Sequence, residues 1–313
     1  MGKLHIVGGG AIGSLIAASA HKNGVPYDCY PRNIRTMPAR AKWQDGQSIE
    51  LKAAMPAPVI LEKDDVLILP LKVYQLNAAL KQWLPYLNQK PTVVLMHNGM
   101  GGLEVARDLL GVDYPLLLAT TSHGALKEST SSGDFHVKYT GLGATQIGAP
   151  NLAEPIPQKL ADLLQVAPQL ANAISTVDSA LPPVQYRSDI LTALWAKLSV
   201  NAVINPLTAL HDIQNKHIAD AEFEQTRRKI CREFTLVANA YGFDFDEDEV
   251  LKNVLSVAKA TGENYSSMHQ DIAHGRQTEI DAINGYIVEM AKKKGIPVPE
   301  NTLLVEHVKA LSV

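Results

Sequence analysis

The chain has 313 residues, 46% of them hydrophobic and 19% charged, and a formal net charge of −3. That length accommodates two domains, each with its own core, and the near balance of charge excludes the basic footprint of a nucleic-acid binder. Two cysteines, Cys29 and Cys231, lie far apart and outside any CxxC, and the ten histidines show no HExxH spacing. A disulfide framework and a metal site are therefore not expected. No signal peptide and no membrane span of ~20 apolar residues is read from the sequence, so the expectation is a soluble, cytoplasmic protein.

Residues 3–8, KLHIVG, predict a short strand. Gly8-Gly9-Gly10-Ala11-Ile12-Gly13 follows at once, and then a helix over Ser14 to Asn23 that ends at Gly24. A strand, a GxGxxG turn and a helix in that order form a dinucleotide-binding signature. Gly8 permits the tight turn, Gly10 lets a pyrophosphate approach the backbone, and Gly13 lets the helix pack close to the strand. The phosphates would then sit on free N–H groups at the helix N-terminus.

Tyr27 to Tyr30 is the expected second strand, and its end sets the choice of cofactor. The chain continues Pro31-Arg32-Asn33-Ile34-Arg35, with no carboxylate, and Asp28 falls too early. An arginine at this place suits a 2′-phosphate, so Arg32, with Arg35 in reserve, points to NADPH. Residues 36 to 62 give only short β-like pieces such as Ser48 to Leu51. Asp65 to Pro70 reads as a buried parallel strand delivering Lys72 to the ligand-binding edge, where a solvated lysine is an equally open reading.

A helix over about Tyr74 to Leu87 precedes the strand Thr92 to Met96 and then His97-Asn98-Gly99-Met100-Gly101-Gly102. The strand Leu116 to Thr120 leads into a loop, Thr121 to Ala125. Gly10, Lys72, Asn98 and residues 122–125 are thus expected along one rim. His123 on that loop is read as a hydrogen-bonding residue rather than an acid. Asp134 to Gly148 alternates and predicts a hairpin closing the sheet. A helix to about Ala171 and a strand near Ile174 to Val177 complete the first domain, with the boundary at Pro182-Pro183.

The remainder reads as helical. Ser188 to Ala209 forms a long apolar helix in which Lys197, Asn201 and Asn205 recur every four residues, each about 40° around from the last. One ammonium and two carboxamides therefore share a ridge. Pro206 is expected to end or kink the helix at Asn205. Further helices are expected over about Asp220 to Tyr241, from about Asn264, where Asn264 and Ser267 would share a face, and a last one over Asp281 to Lys294. Lys292-Lys293-Lys294 before Gly295 fits a helix C-terminus. Asp244, Asp246 and Asp248 lack the glycine and final glutamate of a calcium loop. Glu279 reads equally well as a cap or as a site residue.

The segments GGGAIG, HNGMG, WAKLSVNAVINPLTA, NYSSMHQDI and TEIDAINGYIV, in this order from Gly8 to about Val288, resemble the ketopantoate reductase family. The resemblance implies an α/β fold: an N-terminal Rossmann-type dinucleotide-binding domain (residues 1–183) followed by an all-α C-terminal domain (184–313), with the active site in a cleft between them. It implies NADPH-dependent reduction of 2-dehydropantoate to (R)-pantoate, a step of pantothenate and coenzyme A synthesis. The catalytic lysine falls on Lys197 and the active-site glutamate on Glu279, which also belongs to the cofactor set. Substrate binding falls on Lys197, Asn201, Asn205, Asn215, Asn264 and Ser267, and cofactor binding on Gly8, Gly9, Gly10, Ala11, Ile12, Gly13, Arg32, Lys72, Asn98 and Ala125. Two positions depart from the usual pattern, Gly124 in the cofactor loop and His211 after the long helix. The partner implied is a small 2-keto acid, with neither nucleic acid nor membrane, and the protein a monomer or homodimer. The alternatives are a related NADPH-dependent reductase of another 2-keto acid and a non-catalytic NADPH sensor.

Overall fold

The computed structural model describes residues 2–43, 45–129 and 135–311. The chain separates into two compact units, Met1–His97 with Gly102–Ile190, and Asn98–Gly101 with Leu191–Val313.

The first unit runs β1 (Leu4–Val7), α1 (Ala11–Lys22), β2 (Tyr27–Tyr30), β3 (Arg40–Lys42), β4 (Ser48–Glu50), β5 (Val66–Leu69), α2 (Val73–Trp83), β6 (Thr92–Met96), α3 (Gly102–Leu110) and β7 (Leu116–Thr121). It continues with β8 (Gly124–Ser129), β9 (Phe135–Gly141), β10 (Thr145–Gly148), α4 (Leu160–Val166), α5 (Pro168–Ala180) and β11 (Val184–Tyr186). Among the described residues the larger sheet has seven strands in the order β11-β10-β7-β6-β5-β1-β2. Strands β2, β1, β5, β6 and β7 are parallel and largely buried on both faces, which is why β5, Val66–Leu69, reads as an unbroken apolar run. Parallel neighbours need crossovers, and α1, α2 and α3 supply them. The core of this unit gathers Leu4, Ile6, Leu15, Ile68, Val94, Ile174 and Val177, all at most 1% exposed.

Several expectations are corrected here. The residues from Asp134 to Gly148 do not form one hairpin, and Asp134 itself lies outside the described residues. Strand β9 instead pairs with β8 and β3 in a separate four-stranded sheet, β4-β3-β9-β8, while β10 runs antiparallel to β7 in the large sheet. Gly124 and Ala125 accordingly open β8 rather than ending a loop. Ile174 to Val177 is helical within α5, because Ala171, Ile174, Val177 and Ala180 recur at three-residue spacing and bury one face. Local β-branching gave way to that face.

The second unit contains α6 (Ile190–His211), α7 (Glu224–Ala240), α8 (Glu247–Ala260), α9 (Ser267–Ala273), α10 (Asn284–Lys294) and α11 (Pro299–Leu311). One more helix, α11, thus follows α10, which the sequence reading takes as the last. Trp195 on α6 anchors the unit, its ring centroid 5.9 Å from both Phe234 on α7 and Tyr286 on α10. Against expectation, α6 is long and apolar enough to cross a membrane by length and composition, yet 72% of its apolar window is buried inside the protein, as befits a core helix. His211 at its end packs edge-on against Phe223, which explains a ring at that departure from the family pattern. Gly295 caps α10 in the left-handed region at φ 67°, behind the lysine triplet. Cys29 and Cys231 are buried free thiols, both with pKa pushed up to about 12 by burial.

Pro206 does not end α6. The helix runs five residues past it to His211. Proline cannot donate to the carbonyl four residues back, which leaves Ala202 without its helical partner. The side chain of Asn284, fully buried, donates to the Ala202 carbonyl at 2.9 Å and to Asn301 Oδ1 at 2.9 Å. Asn301 Nδ2 in turn donates to Glu233 Oε2 at 2.7 Å, and Glu233 also accepts the Glu300 and Asn301 backbone N–H groups. A buried polar network thus supplies what proline withholds, and the helix continues.

Candidate active site

The turn Gly8–Gly10 joins β1 to α1 in the geometry that the glycine spacing predicts. Gly8 has φ +108°, and a Cβ on Gly13 would lie 2.4 Å from the Gly8 carbonyl oxygen, so both positions demand glycine. A Cβ on Gly10 would meet no atom within 4 Å, leaving open space directly before the helix. Gly10 is the N-cap and makes no side-chain cap, and the first turn, Ala11 to Gly13, carries no acidic residue. The N-terminal N–H groups and their partial positive charge are thus presented to an anion. These residues fit a dinucleotide pyrophosphate.

The neighbouring strand ends complete that edge. Arg32, just past β2, is exposed, and Asp28 is buried within β2 on Lys3 and Lys52, unavailable to a ribose. Lys72 is the N-cap of α2, its backbone N–H donating to Gln75 Oε1 at 3.2 Å. His123 is buried, its Nδ1 accepting from the Gly143 N–H at 3.2 Å and meeting the Tyr139 hydroxyl at 2.8 Å. Burial lowers its pKa. Its bonds are those of a positioning residue within the strand framework. Lys127, two residues beyond Ala125 on β8, is a residue the sequence reading missed: its Nζ donates to the Gly9 carbonyl at 2.9 Å.

In the second unit, Asn98–Gly101 lies against the short 3₁₀ turn Ile280–Ala282. The Met100 N–H donates to the Ala282 carbonyl at 2.8 Å, and Gly99, at φ +74°, has no room for a Cβ because Ala282 O would be 2.5 Å away. Glu279, 6% exposed, stands immediately before that turn and makes no side-chain cap there. Across from it is Lys197. Position 197 lies about 200° around α6 from Trp195, so the aromatic core takes one face and Lys197 leaves on another. Burial of the ammonium lowers the Lys197 pKa from 10.5 to about 8, while the charge of Glu279 acts to raise it. A half-buried lysine whose pKa is brought down to about 8 beside a buried glutamate stays largely protonated at pH 7 and is suited to giving up a proton.

The remaining expected substrate residues divide into two groups. Asn201 and Asn205 follow Lys197 along α6, half-buried and buried respectively. Asn215 opens the short 3₁₀ turn Asn215–Ala219 between α6 and α7, Asn264 lies in the connection between α8 and α9, and Ser267 is the first residue of α9. The Asn215 N–H donates to the Asn264 carbonyl at 2.9 Å, and its side chain to Thr261 Oγ1 at 2.9 Å. Asn264 and Ser267 do not share a helical face, because α9 starts only after Ser266, whose side chain caps it by accepting from the His269 N–H. The Thr208 hydroxyl on α6 donates to Ser266 Oγ at 2.7 Å, which ties the segment leading to Ser267 back to the helix carrying Lys197. Among the described residues no cluster of three or more His, Cys, Asp or Glu side chains is arranged to hold a metal.

Comparison with known proteins gives a consistent picture. The family model described as ketopantoate reductase PanE/ApbA matches residues 4–151, and the one described as its C terminal matches residues 189–312. A 2-dehydropantoate 2-reductase of Vibrio cholerae is 35% identical over 314 residues, spanning 98% of this chain and 96% of its own. The crystal structure of a probable 2-dehydropantoate 2-reductase from Bacillus subtilis is similar with a TM-score of 0.75 at 27% identity, covering 99% of each chain. D-mandelate dehydrogenase in a ternary structure with NADH and anilino(oxo)acetate shares the fold, with a TM-score of 0.81 at 24% identity over 99% of this chain and 98% of its own.

Proposed function

The chain belongs to the ketopantoate reductase family, and from that premise we propose that it reduces 2-dehydropantoate to (R)-pantoate with NADPH. The observation that carries the catalytic reading is the ammonium of Lys197, held at a pKa of about 8 by burial with Glu279 beside it. When bound, NADPH supplies the hydride to the ketone carbon. Negative charge then builds on the ketone oxygen, where Lys197 stabilises it and delivers the proton. Glu279 orients Lys197 and contacts the cofactor. Asn201, Asn205, Asn215, Asn264 and Ser267 bind the substrate carboxylate and hydroxyls with neutral groups. Residues Gly8 to Gly13 hold the pyrophosphate, Arg32 the 2′-phosphate, and Lys72, Asn98 and Ala125 the rest of the nucleotide. The protein acts in the cytoplasm as a monomer or homodimer, a state that light scattering distinguishes.

The test is loss of reduced-nicotinamide absorbance with 2-dehydropantoate, beside pyruvate and 2-ketoisovalerate, each with NADPH and NADH. Turnover concentrated on 2-dehydropantoate with NADPH is the expected result. Preference for another 2-keto acid would move the substrate assignment, and nucleotide binding without turnover on any of them would remove the catalytic one.

A further inference from the structure

The side chain of Lys127 is directed by its strand. On β8, side chains alternate between faces, so Lys127 shares its face with Ala125, and Leu126 between them is 43% exposed on the other. Ala125 packs against a small cluster that includes Ala18 of α1. The same face therefore looks onto α1 and the glycine turn ahead of it, and the long lysine stem carries the ammonium to within 2.9 Å of the Gly9 carbonyl. Burial lowers its pKa. A cation here stands beside the positive end of α1, whose first turn has no acidic residue and no side-chain cap. Two positive groups thus stand at one turn, and a Cβ on Gly10 in that turn would meet no atom within 4 Å. An anion bound at this turn would meet both.

We infer that Lys127 is a pyrophosphate-binding residue of the cofactor site, its ammonium donating to a phosphate oxygen beside the Gly8–Gly10 turn. This rests on the nicotinamide-nucleotide reading given above. The pyrophosphate is common to NADPH and NADH, so Lys127 strengthens both equally, whereas an arginine clamp on the 2′-phosphate acts on NADPH alone.

The experiment measures the dissociation constants of NADPH and NADH for the full chain by nucleotide fluorescence, in the absence of keto acid. The proteins are wild type, Lys127→Met, Lys127→Gln and Lys127→Arg. Losing one charge-assisted hydrogen bond should weaken both nucleotides by the same factor, roughly ten- to a hundred-fold, in the Met and Gln variants. The Arg variant should retain most of the affinity. Gln keeps a donor for the Gly9 carbonyl while removing the charge, so it carries the test should Met impair folding. Unchanged affinity in the Gln variant would overturn the inference and leave Lys127 as a brace for the turn. Weakening of NADPH alone would also overturn it, by moving the contact to the 2′-phosphate. Failure of the wild-type protein to bind either nucleotide would overturn the functional reading itself, and with it this residue assignment.

Discussion

Replacing Glu279 by glutamine should slide the alkaline limb of activity to lower pH. Burial brings Lys197 from 10.5 to about 8, and Glu279 opposes that descent. A group with a pKa of about 8 is about nine-tenths protonated at pH 7, and its protonated fraction falls about tenfold for each pH unit well above the pKa. If protonated Lys197 is the acid, wild-type kcat/KM should hold to about pH 7 and then decline along that limb. Without the charge of Glu279 the limb moves down and activity at pH 7 falls. The same burial has a stability consequence. The descent from 10.5 to about 8 corresponds to roughly 3 kcal/mol against the charged form in the folded state. A lysine whose pKa is lowered by folding costs stability in full below about 8 and sheds that cost as pH rises from about 8 to 10.5. The double variant Lys197→Met, Glu279→Gln should therefore be inactive yet melt higher than wild type at pH 7, with the gap closing toward pH 10. Initial rates across pH and thermal melts at pH 7 and 10 measure both effects. A wild-type profile that stays flat past pH 10, or one that Glu279→Gln leaves in place, would refute the reasoning.

Asn284→Leu removes the donor that completes α6 at Ala202 and leaves that carbonyl and Asn301 unsatisfied in the core. A cost of about 2–3 kcal/mol is expected, which calorimetry should register as a fall of several degrees in Tm. An unchanged Tm would mean that water replaces the amide. Gly13→Ala places a methyl 2.4 Å from the Gly8 carbonyl and should lower both Tm and nucleotide binding, whereas Gly10→Ala points into open space and should keep the Tm while weakening NADPH. Equal behaviour of the two variants in melts and titrations would contradict that geometry. Arg32→Ala, at an exposed position just past β2, should weaken NADPH and leave NADH nearly unchanged; a matching loss for both would shift the 2′-phosphate contact to Arg35 or Lys72.

The glycine turn and the polar ridge of α6 were legible in the sequence because both depend on residues close together in the chain. Gly8 and Gly13 declare their places in the turn through spacing alone, and Lys197 and Asn201 their shared ridge on α6. What escaped depends on distant partners. The donor that carries α6 past Pro206 comes from Asn284, 82 positions beyond Ala202. Strands β9 and β10 adjoin in sequence yet enter different sheets, because β10 finds β7, and β9 finds β3 and β8. Ile174 to Val177 has strand-like side chains, but the buried spacing of its helix overrides that preference. Lys127 was invisible because a lone lysine in a strand announces nothing until the strand is laid against α1.

The two thiols have a practical consequence. A thiol with a pKa near 12 is almost wholly protonated at neutral pH, and only the thiolate reacts. With Cys29 and Cys231 both buried, the native chain offers a chemically silent background for maleimide labelling. A cysteine introduced at an exposed position such as Leu142 or Val112 would take up a dye by itself, with no need to delete the native pair. Fluorescent reporters of ligand binding can thus be built on the unmodified protein.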